Sequence, residues 1–526
     1  MSSLSTRQVT NGSSLLVALI LALAAAFAYI SMPWGPGVTP DSVIYLGLAD
    51  ALYHGEGFFL YGDLVTHYPP GYPATLALLN VITDDSATSA RLLNSVAYAA
   101  SLGLIFTLIG SSDKRTSVVL AVCGLVYFCS TAVVSAHLMA WSEPAFILVW
   151  LVSTYWLITH LLNPQRYALI LAGVFLGLAI LYRYAGIALV PPMLFIILII
   201  PQNIKPKLKE LVLLLAISLV GLCFWLFRNN LLSGNSTNRQ FVFHPVGYPH
   251  FESFASVLNN FFTAGLMTPT AAIWVTALIL FAITALLVRN SWKLSKDTTN
   301  IDRHLLVSIL FSSSALAYVM FILVSISFID AHTPMDERIL LPFLVCLIVL
   351  IANEISNIEI GKQHQQLAIV LCLSLLTFST YKNTTGSGSL LSTSRVSGLG
   401  YAHRSIIESP AVVFAGMLPP EHQIYSNGFD LLNYSAQRNA IILPEEFEPA
   451  TRNRSVEYET KMTEMCSEVK NGHASIIFMT AFQGRWYLPN AEKIASSCGV
   501  EKWLSLGDSL ILTTTSVLPI PSNLPD

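Results

Sequence analysis

Apolar runs of roughly 17 to 25 residues, the length a helix needs to cross about 30 Å of hydrocarbon, recur along most of the chain. They fall near 13–32, 89–110, 116–136, 143–163, 166–182, 185–201, 208–228, 269–289, 304–328, 338–354 and 364–381. The fold class this predicts is mainly α, a polytopic transmembrane bundle of about eleven spans. Between the first two runs, Tyr45, Leu46, Ala49 and Leu52 repeat at helical spacing in a short amphipathic stretch suited to lie along the membrane. Gly55 and Gly57 end it, Pro69, Pro70 and Pro73 keep the next residues extended, and a second apolar helix is predicted from near Ala74.

Beyond about Thr384 the pattern changes. Ser- and Gly-rich residues 386–400 read as a linker, followed by strand-like runs at 411–414, 475–479 and 509–513 and a helical run at 455–470. The expected organisation is a membrane domain over 1–383 with its first outer loop at 33–88, a linker at 384–400 and a small α/β domain over 401–526. No internal repeat is visible.

Basic residues orient this pattern. Lys114 with Arg115, Arg166, Lys205 with Lys207 and Lys209, Arg289 with Lys293 and Lys296, and Lys362 occupy alternate connections, as cytoplasmic loops do under the positive-inside rule. The opposite connections, 33–88, 137–142, the turn at Arg183, 229–268, 329–337 and the chain after about 382, then face outward. The predicted location is a multi-pass plasma membrane protein of bacterial inner-membrane type, with its site and C-terminal domain extracytoplasmic. The first span resembles a signal sequence but is long enough to cross and is preceded only by Arg7, so it reads as an uncleaved anchor.

Composition agrees: of 526 residues 54% are hydrophobic and 11% charged, against about 25% charged in soluble proteins. Mean hydropathy is +0.61 and the formal net charge −3, which leaves no basic field for nucleic acid. Cys123, Cys129, Cys223, Cys346 and Cys372 fall in apolar runs and have no metal-ligand spacing. Cys466 and Cys498 lie in the polar region, as a disulfide in an oxidising compartment or as two reduced thiols.

Against this apolar background a few charges stand out. Asp41 follows Thr39 and Pro40, where it could cap the helix starting at Ser42. Glu143 stands in Trp141-Ser-Glu-Pro144 at the mouth of a span, and Arg183, Arg228, Arg239 and Arg338 fall on the same predicted side. A charge within a span costs roughly 2.5 to 3.5 kcal/mol on insertion scales, less at the interface, and an arginine there can also snorkel to headgroups. An acid beside several arginines at a membrane surface suits transfer of a sugar from a polyprenyl phosphate. The acid takes the proton of an attacking hydroxyl while guanidinium groups hold the leaving phosphate. Tyr45, His67, Tyr68 and Tyr72 would line the sugar or lipid path, although interfacial aromatics also serve as belt anchors. Neither a metal nor another cofactor is expected, since the lipid phosphate is itself the leaving group.

Asp41-x-x-x-Tyr45, Ala49, Gly55-x-Gly57 and Tyr68-Pro-Pro-Gly-Tyr-Pro73 resemble the first outer loop of GT-C membrane glycosyltransferases, the group containing lipid A aminoarabinose transferases and protein O-mannosyltransferases. Ser142-Glu-Pro144, Tyr182-Arg-Tyr-Ala-Gly186, Arg228-Asn229 with Gly234 and Arg239, and Arg338-Ile-Leu-Leu-Pro342 follow in the same order, so the resemblance spans about 13–345. It implies an inverting transferase using a lipid-phosphate sugar, with Asp41 as base; on the residues themselves Glu143 reads as a secondary acid or orienting group, with Asp50 or Glu56 as other candidates for a second carboxylate, and Arg183, Arg228, Arg338 and Arg239 as phosphate contacts. The implied partners are membrane lipid, a polyprenyl-phosphate sugar donor and a glycan, lipid or protein acceptor. Two departures stand out: Ser42 follows Asp41 where many members have a second acid, and no lysine precedes the paired prolines.

Two other classes compete. A flippase of a lipid-linked saccharide would place polar groups at the bilayer midplane or carry paired broken helices, whereas these charges gather at one face. A non-catalytic envelope-polysaccharide scaffold would use Asp41 only as a cap, which makes the position of that carboxylate decisive.

Overall fold

The computed structural model describes residues 11–513 except 111–113, 238, 297–300, 359–362, 481, 483, 500–502 and 508; Arg7 and Lys362 therefore lie outside the described residues. The architecture is mainly helical. From the N-terminus come α1 (Asn11–Ile30), α2 (Pro40–Tyr53), a hairpin of β1 (Phe59–Leu60) and β2 (Asp63–Leu64), α3 (Gly71–Thr83), α4 (Ser86–Ile109), α5 (Lys114–Cys129) and α6 (Thr131–Leu138). Then follow α7 (Glu143–Leu162), α8 (Arg166–Tyr182), a 3-10 turn (Tyr184–Leu189), α9 (Val190–Ile199), α10 (Ile204–Ser233) and α11 (Tyr248–Thr263). The bundle closes with α12 (Pro269–Lys296), α13 (Arg303–Phe328), α14 (Leu341–Asn357) and α15 (Gln363–Ser397).

Among the described residues, α4, α7, α10, α12 and α13 are each long and apolar enough to cross a membrane, and α5 with α6, bent by 53° at their junction, pass that test only as a pair. The break replaces the single predicted run at 116–136. Segments of α1, α8, α14 and the 3-10 turn with α9 are shorter apolar helices. Helix α8 packs between α7 and α10. Gly173 and Gly177, four apart, permit this, because a Cβ on either would stand 3.0 Å from Ile217 or from the Ser218 carbonyl of α10.

The connections sort to two ends of the bundle. At one end Arg115 donates to the carbonyls of Ser356 and Ile358, Arg289 pairs with Glu354, and Lys207 donates to the Leu198 carbonyl. At the other, residues 33–88 meet 137–142 and the C-terminal region through bridges from Gly37 to Met139 and from Val38 to Gly400. Both groups are the alternate loops that the basic residues separated. The amphipathic helix α11, which the sequence reading left within a loop, buries Phe254, Leu258 and Phe261 at this second end.

Three local expectations are corrected. Residues 386–397, read as a linker, continue α15 as helix to Ser397; Ser387 donates to the Asn383 carbonyl, and Gly386 lies so close to Thr131 that a Cβ would stand 2.9 Å from its hydroxyl. Residues 411–414, read as a strand, belong to α17 (Pro410–Met417), following the short α16 (Arg404–Ile407). Ser409 and Pro410 supply the N-cap and first-turn proline that start a helix, and these outweigh the β-branched run. Arg338 lies ahead of α14 rather than inside a span.

The C-terminal region forms a five-stranded sheet ordered β4-β3-β5-β7-β6, from β3 (Gln423–Ser426), β4 (Ala440–Ile442), β5 (Ala474–Met479), β6 (Leu504–Leu506) and β7 (Ser509–Leu512). Strands β4, β3 and β5 are parallel, and β7 and β6 run antiparallel at the other edge. Helices α18 (Phe429–Ser435), α19 (Tyr458–Lys470) and α20 (Ala491–Cys498) cover it. Met465, Ile476, Ile494 and Leu512 fill the layer between helices and sheet, and Cys466 is disulfide-bonded to Cys498.

Candidate active site

Two glycines build the floor of the site. Gly71 at the start of α3 sits where a Cβ would stand 2.7 Å from the Leu181 carbonyl, so only glycine lets the Tyr68-to-Pro73 segment press on the end of α8. Gly186 does the same for the turn beyond Arg183, where a Cβ would stand 2.8 Å from Ile180 N. Arg183, the residue that ends α8, is thereby aimed at the start of α7, where Glu143 occupies the first turn.

Glu143, 1% exposed, receives two guanidinium groups: Arg183 through Nη1 and Arg338 through Nε at 2.5 Å. Arg338 then reaches outward, its Nη2 2.6 Å from Asp41 Oδ2, while Tyr68 donates to Asp41 Oδ1 at 2.9 Å. The Asp41 side chain remains 32% exposed. The outcome is a chain of alternating charge, Arg183–Glu143–Arg338–Asp41, most closed at Glu143 and most open at Asp41. Buried charges are tolerated when paired in this way; both guanidinium groups meet Glu143 at Oε1, while Glu143 Oε2 and Arg183 Nε are buried without a hydrogen-bond partner among the described residues.

Asp41 does not cap its helix. Helix α2 begins at Pro40 with Thr39 as N-cap, and the carboxylate points instead to Arg338 and Tyr68. Trp141 completes the arrangement: the Arg338 guanidinium lies 4.6 Å from its ring centroid, and its indole N–H donates to Thr39 Oγ1 at 2.8 Å. One side chain therefore fixes both the arginine and the start of the helix that carries the acid. No spacing rule in the sequence assigns Trp141 this role.

Burial pushes the Asp41 carboxyl upward, but the charge and hydrogen bond of Arg338, with the Tyr68 hydroxyl, outweigh it and hold the group below its ordinary 3.8. The Arg338 guanidinium, which burial would weaken, is pushed up by Glu143 and Asp41. Tyr45 is pushed up to about 12, first by burial and then by Asp41. Asp41 and Arg338 are thus ionised, and Tyr45 is a neutral phenol, at neutral pH.

The other expected residues divide. Tyr45 and Tyr72 are 4% and 0% exposed, packed edge-on with centroids 5.2 Å apart, so they back Tyr68 rather than face an open path. His67 is exposed, its ring tilted by 53° against Tyr68 with centroids 4.5 Å apart. Arg228 and Arg239 stand outside the charged chain. Arg228 lies 4.6 Å above Trp225 and donates to the Val65 carbonyl at 3.3 Å, while its neighbour Asn229 donates to the Thr66 carbonyl at 2.7 Å. That pair pins the segment leading into His67 and Tyr68. Arg239 is bound to Asp330 at 2.5 Å, an acid the sequence reading did not single out. Among the described residues no group of three or more His, Cys, Asp or Glu is placed to hold a metal ion.

The fold is similar to that of solved multi-pass membrane glycosyltransferases. Residues 67–227 match the family described as dolichyl-phosphate-mannose-protein mannosyltransferase. The structure superposes on ArnT from Cupriavidus metallidurans bound to undecaprenyl phosphate with a TM-score of 0.61 at 12% identity, covering 96% of this chain and 98% of that one. The apo state of the same protein gives 0.60 at 13% identity, covering 95% and 98%. Mycobacterial arabinofuranosyltransferase AftD gives 0.52 at 12% identity, covering 95% of this chain and 40% of the longer one. At such identities the likeness is one of fold. No curated protein matches the sequence.

Proposed function

We propose that the protein is an inverting glycosyltransferase that moves one sugar from a polyprenyl phosphate to an extracytoplasmic glycan, lipid or protein, with Asp41 as general base. The observation that carries this reading is the contrast in exposure along one ion-paired chain: Asp41 at 32% and Glu143 at 1%. A base must reach an incoming hydroxyl, and Asp41 does; a carboxylate closed over by two guanidinium groups orients them instead.

The acceptor oxygen attacks the anomeric carbon as Asp41 takes its proton. The bond from that carbon to the phosphate oxygen breaks on the opposite face, and the electron pair leaves with the lipid phosphate. Arg338 is the phosphate contact best placed for this, with Arg183 behind it across Glu143. A leaving phosphate competes with Asp41 for the same N–H groups, and the aspartate that loses its arginine becomes a stronger base. Burial then works in the direction of catalysis.

The disulfide between Cys466 and Cys498 supports an exported C-terminal domain, as does the sorting of basic loops to the opposite end. An eleven-span count would make α1, the bent α5–α6 pair, α8, α9, α14 and α15 membrane segments beside the five long helices. The fold likeness to ArnT, whose structure holds undecaprenyl phosphate, supports a lipid phosphate as donor. Purified protein incubated with radiolabelled polyprenyl-phosphate sugars and a membrane acceptor fraction tests the reading: transfer from at least one donor, lost in Asp41→Asn, is expected. Absence of transfer from every donor would overturn it.

A further inference from the structure

Helix α2 has two working faces. Asp41 and Tyr45 lie on one; Leu46, Asp50 and His54, spaced four apart, lie on the other. That second face borders a cleft of about 750 Å³, closed on its far side by α18 and the residues that lead into β4. The volume falls in the roughly 300–1,000 Å³ range of ligand sites.

The lining has a particular chemistry. Tyr61, at the tip of the β1–β2 hairpin and 44% exposed, and Tyr434 on α18 bring aromatic rings from the two sides. Asn439, Asp50 and Glu56 bring planar groups that accept, and in the amide also donate, hydrogen bonds. Aromatic faces beside planar polar groups match the alternation of C–H and O–H surfaces on a sugar ring. Charge narrows the choice further. Arg438 also borders the cleft, but its guanidinium is committed to the backbone carbonyls of Leu418, Pro419 and His422. Glu56 also lines the space, as do Asp50, which accepts from Ser86 and Asn80 at Oδ1, and Asp85, whose Oδ2 caps α4; their three negative charges outnumber Arg438 and disfavour an anion.

We propose that this cleft binds an oligosaccharide, neutral or amino-bearing, as the remote part of the acceptor. The proposal rests on the transferase reading for the word acceptor, and on the cleft alone for the binding. Val43, two positions beyond Asp41, lines the cleft, so α2 is the shared wall between saccharide binding and chemistry. The C-terminal domain gains a function from this arrangement, since it supplies the second wall.

The test uses the full-length protein in detergent on an array of immobilised neutral, amino-bearing and anionic oligosaccharides. Binding to at least one neutral or amino-bearing glycan is expected, equal in wild type and Asp41→Asn and at least tenfold weaker in Tyr61→Ala and Tyr434→Ala. Tyr61 is exposed, so its variant decides the matter if Tyr434→Ala melts early. No glycan bound, anionic glycans alone bound, or binding unchanged in Tyr61→Ala would each overturn the proposal. Normal transfer by Asp41→Asn would instead remove the base assignment and leave the array result standing.

Discussion

Arg338 reaches past the buried Glu143 to place its Nη2 2.6 Å from Asp41 Oδ2. The contact joins the first turn of α2 to the loop that enters α14. It explains why the acid is available to chemistry: a helix cap would turn the carboxylate to backbone N–H groups, whereas this arginine draws it toward the site's opening.

For Asp41→Asn, asparagine keeps the shape and one acceptor oxygen, enough for Tyr68 or Arg338 but not both, while removing the proton acceptor. Transfer should slow by roughly 10² to 10⁴-fold. The melting temperature should change little, because the pair is partly exposed and such pairs contribute about 0–1 kcal/mol. Single-turnover rates and thermal melts on the purified variant check both halves.

Changing Arg338 should move the pH dependence. The Asp41 carboxyl lies below 3.8 because Arg338 opposes the upward push of burial; Arg338→Gln leaves burial dominant, so the acid limb of kcat/KM should rise to higher pH. The sign for stability follows from the depressed value: the contribution is present above 3.8, is lost as pH falls through the folded-state pKa, and should disappear in the variant. Arg338→Lys should restore only part of the activity, since lysine keeps the charge without the fork that spans two carboxylates. Unchanged pH profiles across the three proteins would separate Arg338 from the base.

Glu143→Gln should damage folding and rate together. The carboxylate is 1% exposed and holds two arginines, and breaking a buried pair costs on the order of 3 kcal/mol because charge is left uncompensated. The expected result is a lower melting temperature with weaker use of the lipid donor. A variant as stable as wild type but inactive would make Glu143 a participant rather than an orienting group.

Sidedness is open to direct labelling. A membrane-impermeant maleimide applied to intact cells should modify Gln437→Cys and leave Lys205→Cys untouched, because the two positions are exposed at opposite ends of the bundle. The reverse pattern would face Asp41 toward the cytoplasm and exclude an extracytoplasmic acceptor.

Much of this protein was legible in one dimension because the membrane imposes simple rules. Apolar length marks where the chain runs as helix, and alternate basic loops separated the two ends the structure shows. Asp41, Glu143 and the four arginines at 183, 228, 239 and 338 could be read as a group because these charges stand out in a chain with few of them. The 386–397 segment was misread because Ser and Gly mark a linker only when nothing packs on them; here Gly386 is small because Thr131 lies against it. Residues 411–414 were misread because β-branching was weighed above the Ser409–Pro410 helix start.

What the sequence could not decide was which arginine meets which acid. Arg183, Arg228, Arg239 and Arg338 have the same chemistry and the same predicted side, yet only two join Glu143. Arg228 braces the Val65 backbone and Arg239 binds Asp330. The choice depends on close approaches at Gly71 and Gly186 and on the Trp141 ring beneath Arg338, which are distances between elements far apart in the chain. Periodicity records what each residue prefers to face; only packing sets how near two faces come, and an ion pair exists or fails over an ångström or two.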